Sequence, residues 1–186
     1  MPQVTLKPGR ERPIHLRHPW LFSGAIQHIE ESARDGEIVD VVSAQGEWLA
    51  RGFLNRRSQI VVRLLTWDQD EAVDREFWRR HLERAIQSRS ILNLEADTNA
   101  FRLVFSESDG LPGLIVDRYA DWLVVQFSTL GIERVRDLII ALLDELLHPR
   151  GIYERADPTA RRREGLGISE GVLTGCEPPE VIEIRE

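Results

Sequence analysis

Arginines set among aromatic rings dominate the chemistry this chain can offer. In RERPIHLRHPWLF, Arg10, Arg12 and Arg17 are interleaved with His15, His18, Trp20 and Phe22. A second group, Arg51, Arg56, Arg57 and Arg63, falls within RGFLNRRSQIVVRLL. Guanidinium groups contact phosphates, and flat side chains stack on unpaired bases, so this combination suits RNA. The same residues also suit an ordinary loop whose rings plug a core and whose arginines are solvated. Trp20 and Phe22 are read as core on either view. A third group lies in YERADPTARRREGL, where Tyr153 and Arg155 precede Arg161, Arg162 and Arg163. That run is either a solvated loop or a surface for phosphates or a docking partner.

Other chemistry is thinly represented. Cys176 is the only cysteine, which excludes an internal disulfide framework and a multi-cysteine zinc site. It sits in TGCEPPE and is read as an incidental thiol. Asp109 and Asp117 are candidate paired carboxylates. The plainer reading has Asp109 opening a turn with Gly110 and Asp117 pairing with Arg118 or Arg155. GLGISEG, Gly165 to Gly171, has the glycines of a cofactor loop but neither a strand signal before it nor a helix pattern after it.

Composition bounds these readings. The 186 residues are 42% hydrophobic and 30% charged, as in an ordinary soluble globular protein. No apolar run approaches the roughly 20 residues needed to span a bilayer. The N-terminus lacks an apolar signal core, and the cysteine usage fits a reducing cytoplasm. The net charge of −7 argues against a wholesale nucleic-acid binder. Charge is uneven, however. Met1 to Thr66 carries nine basic against seven acidic residues, and the remainder carries 15 against 24. A local basic patch, which is what RNA requires, is therefore expected in the first third.

The elements that must position these groups are short and β-rich at first. Val4 to Leu6, Glu37 to Val42, Trp48 to Leu54 and Gln59 to Leu65 are strand-type runs divided by turn residues. They predict a closed barrel packed around Trp20, Phe22 and Trp48. The acidic stretch TWDQDEAVD places a boundary near residue 66. Asp74 then caps a helix, with Val73 and Trp78 in the staple positions. Its arginines, Arg75, Arg79, Arg80, Arg84 and Arg89, are read as a solvated face paired with Glu76 and Glu83. Phe101, Leu103 and Phe105 form a strand that runs into the stretch SESDGLPGLIVDRYADWLVVQF. There two apolar runs, Leu114 to Val116 and Trp122 to Phe127, read as a hairpin. A helix over Ile132 to Leu147 and strands over Ile152 to Arg155 and Val181 to Ile184 complete an α+β sheet with a helix on one face.

The stretch from Ser106 to Phe127 resembles the central region of bacterial S-adenosylmethionine-dependent large-subunit rRNA cytosine-C5 methyltransferases. HPWLFSGAI, His18 to Ile26, looks like their N-terminal PUA domain. YERADPTARRREGL follows in the same order, and PPEVIEIRE, Pro178 to Glu186, resembles the lead-in to their catalytic domain. Leu54 and Arg56 stand where that family has an aromatic residue and a proline.

The resemblance implies three segments: a PUA-like RNA-binding β-barrel over 1–66, a linker and helix over 67–99, and a small α+β domain over 100–186. The doubly wound catalytic domain, with its nucleophilic cysteine and its seat for S-adenosylmethionine, would lie beyond residue 186. On that reading the chain itself uses no cofactor. Its RNA contacts would be Arg10, Arg12, Arg17, His18, Arg51, Arg56, Arg57 and Arg63. The group of Tyr153, Arg155, Arg161, Arg162 and Arg163 forms a second patch. Its partners would be rRNA, the C-terminal methyltransferase domain and a second copy in a homodimer, with no membrane. The rival is an interaction or dimerisation unit that binds no RNA.

Overall fold

The computed structural model describes residues 1–91 and 98–185. The part of the 67–99 linker segment over 92–97 lies outside the described residues, as does Glu186. The fold is mixed α+β, built on two sheets.

The first sheet comprises β1 (Gln3–Leu6), β2 (Trp20–Phe22), β3 (Ile26–Ile29), β4 (Ile38–Val42), β5 (Trp48–Leu54) and β6 (Ile60–Thr66), in the order β2-β6-β5-β4-β1-β3. A short helix, α1 (Arg12–His15), lies between β1 and β2, where a plain loop was expected. The sheet curls, but it is a half-barrel and not a closed barrel. The pairings explain why. Only β1 and β4 are parallel neighbours, so β2 and β3 run in the same sense. The chain passes from one edge to the other round the 3-10 corner Ser23–Ala25, and segments joined so tightly in the same sense cannot pair with each other.

Its core is aliphatic, drawn from Val4, Leu6, Leu21, Val39, Val41 and Val62 among others. The expected aromatic core is corrected here. Side chains alternate along a strand, and Leu21 takes the inward position. Trp20 is consequently half-buried, and Phe22 is 47% exposed. Trp48 is also half-buried, with its indole N–H donating to Asp40 Oδ1 at 3.0 Å.

The second sheet has β7 (Ala100–Phe105), β8 (Leu114–Tyr119), β9 (Trp122–Phe127), β10 (Gly151–Arg155) and β11 (Glu170–Gly175), in the order β11-β10-β9-β8-β7. The expected hairpin is β8 and β9, closed by Ala120 and Asp121 between the paired Tyr119 and Trp122. Helix α2 (Arg75–Ile91) begins as expected, with Asp74 Oδ1 accepting the Phe77 N–H at 3.0 Å. The expected single helix over Ile132 to Leu147 divides at Val135 into α3 (Leu130–Arg134) and α4 (Arg136–Leu147). The last helix is α5 (Pro158–Arg163). Val181 to Ile184 is not a strand. The strand beside β10 is instead β11, whose glycines and bulge masked its signal.

The two sheets do not stand apart. Phe53 of β5 and Leu65 of β6 are buried in the core of the second sheet. The Phe53 ring stacks on Trp78 with centroids 5.8 Å apart. Gly131 lies beneath Phe53, and a Cβ there would come within 2.1 Å of Phe53 Cγ.

Candidate nucleic-acid interface

Where the two sheets meet, the surface sinks into a cleft of about 840 Å3. One wall comes from β2, the β5–β6 turn and β6, which supply Trp20, Phe22, Arg57 and Arg63. The other comes from the turn at Ser106–Asp109 and from α5, which supply Glu107, Arg163 and Glu164. The floor is a charge network. Arg63 bridges Glu107 at 2.9 Å and Glu164 at 3.0 Å. Glu164 is only 4% exposed and also accepts the Asn55 amide at 2.7 Å. Trp20 is held by its indole N–H donating to Glu107 at 2.8 Å. Burial pushes the Glu107 carboxyl up, but hydrogen bonds from Ser106 and Trp20 and the charge of Arg63 outweigh it and hold the carboxyl below the usual carboxylate range. The Nε of Arg63 is buried without a hydrogen-bond partner.

The rim differs from the floor. Neither Arg57 nor Arg163 has an acidic partner among the described residues. Arg57 lies close to Gly165, where a Cβ would be 2.9 Å from its Cδ. Gly165 also has φ 78°, which a side chain would strain. Arg163 ends α5, whose start is set by Pro158 and by Asp157 accepting the Thr159 and Ala160 amides at 2.8 and 3.1 Å. On the other side of Trp20 and Phe22 lies a smaller hollow of about 390 Å3, bordered by Arg10 and His18. His18 packs edge-on against Trp20 at 5.7 Å, and Trp20 against Phe22 at 6.4 Å. Trp20 and Phe22 therefore form a ridge between two hollows.

Five residues from the three sequence groups thus converge on this ridge: Arg10, His18, Arg57, Arg63 and Arg163. The others are elsewhere. Arg51 is buried, bonded to Asp40 at 2.8 Å and to the Glu71 carbonyl at 2.8 Å. Arg56 pairs with Asp35 at 2.9 Å, and Arg17 lies over the Trp67 ring at 5.4 Å. Arg12 and Arg162 are exposed. Arg161 is 3% exposed and ties Glu133 at 2.9 Å to the Phe127 carbonyl at 2.7 Å. Tyr153 and Arg155 line a separate hollow of about 710 Å3 together with Pro178 and Ile182.

The two candidate carboxylates are each held by an arginine. Asp109 pairs with Arg89 at 2.7 Å, and Asp117 pairs with Arg102 at 2.7 Å, not with Arg118 or Arg155. Of the other α2 arginines, only Arg79 meets the expected Glu76 and Glu83; Arg75 and Arg79 reach Glu145, and Arg80 reaches Glu71. Glu107, Glu164 and Asn55 carry no local signal in the sequence. The exposure of Phe22 was readable from the alternation Trp20-Leu21-Phe22, once Leu21 is taken as the inward residue.

Residues 4–67 match the PUA-like domain family. The chain is 41% identical over 184 residues to ribosomal RNA large subunit methyltransferase I of Erwinia tasmaniensis, covering 99% of this chain and 46% of that protein. It is 42% identical over 183 residues to the protein of the same name from Aliivibrio fischeri strain MJ11, covering 98% and 46%. It is thus homologous to the N-terminal part of these bacterial enzymes and spans about half their length.

Among solved structures, a protein from Streptococcus mutans described as a SAM-dependent methyltransferase aligns with a TM-score of 0.78 at 18% identity, over 97% of this chain and 45% of that one. A second, described as a methyltransferase and complexed with SAH, aligns with a TM-score of 0.81 at 18% identity, over 100% and 46%. At that identity the likeness concerns the fold alone.

A methyl donor binds where a parallel strand turns into a helix. At the turn between β9 and α3 the space is taken: Phe53 covers Gly131, and the Glu164 carboxylate takes the Leu130 amide at 3.4 Å. Gly165 to Gly171 follows a helix and enters a strand, the reverse of the required order. No cluster of three His, Cys, Asp or Glu among the described residues could hold a metal ion. No helix among them is long and apolar enough to cross a membrane.

Proposed function

We propose that this chain is the RNA-recognition and linker portion of a cytoplasmic 23S rRNA 5-methylcytosine methyltransferase. The parent enzyme takes its methyl group from S-adenosylmethionine, and this portion supplies no part of that chemistry. The segments are those of the sequence reading, with the PUA-like unit over 1–66 and the α+β unit from 100 onward.

The observation that carries the reading is the convergence of arginines from three separate stretches on one ridge, in a chain homologous to rRNA methyltransferases. Of the arginines first considered, Arg10, Arg57 and Arg163 are the phosphate contacts, whereas Arg51 and Arg161 are structural. The Tyr153 and Arg155 face, beside the segment 178–182, is the surface for the C-terminal methyltransferase domain.

The test is fluorescence anisotropy of the 186-residue chain with a structured large-subunit rRNA fragment at two salt concentrations. Binding should be weak, about micromolar, and should fall with salt by a slope of roughly 0.7 to 0.9 per phosphate contacted. Absence of salt-dependent binding would refute the reading and favour an interaction unit that binds no RNA.

A further inference from the structure

We infer that the Trp20–Phe22 ridge is a seat for unpaired ribonucleotides, in which a base stacks on Phe22 while Arg57 and Arg163 hold phosphate on one side and Arg10 on the other. This rests on the RNA-recognition reading and narrows it to a substrate class and a site.

Three observations lead to it. The first is Phe22 itself, a large ring 47% exposed at the junction of two hollows. It is not adrift. It packs edge-on against Trp20, which Glu107 anchors in turn, so the ring is held ready at small entropic cost. The second is the contrast in charge. The arginines with acidic partners include Arg63 at the floor of the cleft, which is shared between Glu107 and Glu164 and offsets one of their two negative charges. Arg57 and Arg163, without such partners, border the same cleft in a chain of net charge −7. The third is convergence. Arg57 lies close to Gly165, two residues beyond Arg163, and both arginines line the same cleft.

The arrangement selects against duplex RNA. In an A-form helix the base faces are covered by their neighbours, and only a splayed base can offer a face to an aromatic ring. The hollow on each side of the ridge leaves room for the flanking sugar and phosphate. Binding through stacking plus phosphate contacts tolerates sequence, because every base has a π-face.

The experiment uses the 186-residue chain, a labelled unstructured oligoribonucleotide, the same strand annealed to its complement, and the structured rRNA fragment. The single strand should bind more tightly than the duplex. Phe22→Ala should weaken single-strand binding roughly 5- to 140-fold and leave the salt slope unchanged. Arg57→Ala with Arg163→Ala should lower the slope by about 1.4. Circular dichroism checks that each variant folds, and Phe22→Leu, which keeps bulk and loses the π-face, should behave like Phe22→Ala. If the duplex binds as well as the single strand, or if both Phe22 variants bind like the parent, the ridge is not a stacking seat. Salt-dependent binding of the rRNA fragment would then still uphold the broader reading. If no RNA binds at all, both fall.

Discussion

Replacing Glu164 with alanine removes a carboxylate that ties the two sheets together. It pairs with Arg63 of β6 at 3.0 Å and accepts the Asn55 amide at 2.7 Å and the Leu130 amide at 3.4 Å. Asn55 is 5% exposed, and its side-chain nitrogen would keep only its bond to the residue 164 carbonyl, at 3.1 Å. Arg63 would keep Glu107, so its charge stays paired one-to-one and the cost is that of the hydrogen bonds lost. Leaving a buried donor unmade costs about 1 to 3 kcal/mol. With a loss of about 2 kcal/mol and a urea slope of about 2 kcal/mol/M, the midpoint should fall by about 1 M. Glu164→Gln keeps the volume and one acceptor and should fall by less. Glu145→Ala, which removes an exposed partner of Arg75 and Arg79, should leave the midpoint nearly unchanged because solvent screens the pair. If Glu164→Ala shifts the midpoint no more than Glu145→Ala, the network does not hold the joint and the reasoning fails.

Gly131→Ala forces a methyl group to within 2.1 Å of Phe53 Cγ, so overpacking should cost about 1 to 3 kcal/mol, read as a lower thermal midpoint. The Glu107 carboxyl is held below its ordinary value of 4.5, so the stability it contributes is full above that pH and lost as pH falls through the folded value. Acid titration of unfolding should therefore be shallower in Glu107→Gln than in the parent chain. Calorimetry with millimolar S-adenosylmethionine should show no saturable heat, since millimolar ligand would reveal an affinity of about −4 kcal/mol. A clear isotherm would overturn the proposal that this portion takes no part in binding the methyl donor.

The legible parts of the molecule are those whose cause is local. The hairpin from Leu114 to Phe127 follows from two alternating runs and the turn between them. Helix α2 follows from the Asp74 cap and an apolar stripe through Phe77, Leu82 and Ala85. The floor of the cleft was not legible, because its causes are distant in sequence. Arg63 meets Glu107 and Glu164 across 44 and 101 residues, and Asn55 meets Glu164 across 109. Composition likewise cannot tell a buried arginine from a solvated one. Arg161 and Arg162 are neighbours of one type, yet the first faces the interior and the second faces water. Trp20 and Phe22 were misread because a large ring is assumed to seek the core, whereas on a three-residue strand the middle side chain decides the facing of the other two.

Phe53 carries a consequence for how such chains can be divided. A cut after Thr66 would leave this ring without Trp78 and Gly131, and Leu65 without its neighbours in the second core. The severed first sheet would show the solvent an adhesive apolar face, and the remainder would keep a hole of matching shape. Gene rearrangement, or a designer borrowing only the first sheet, has to carry the second along or polish that face away.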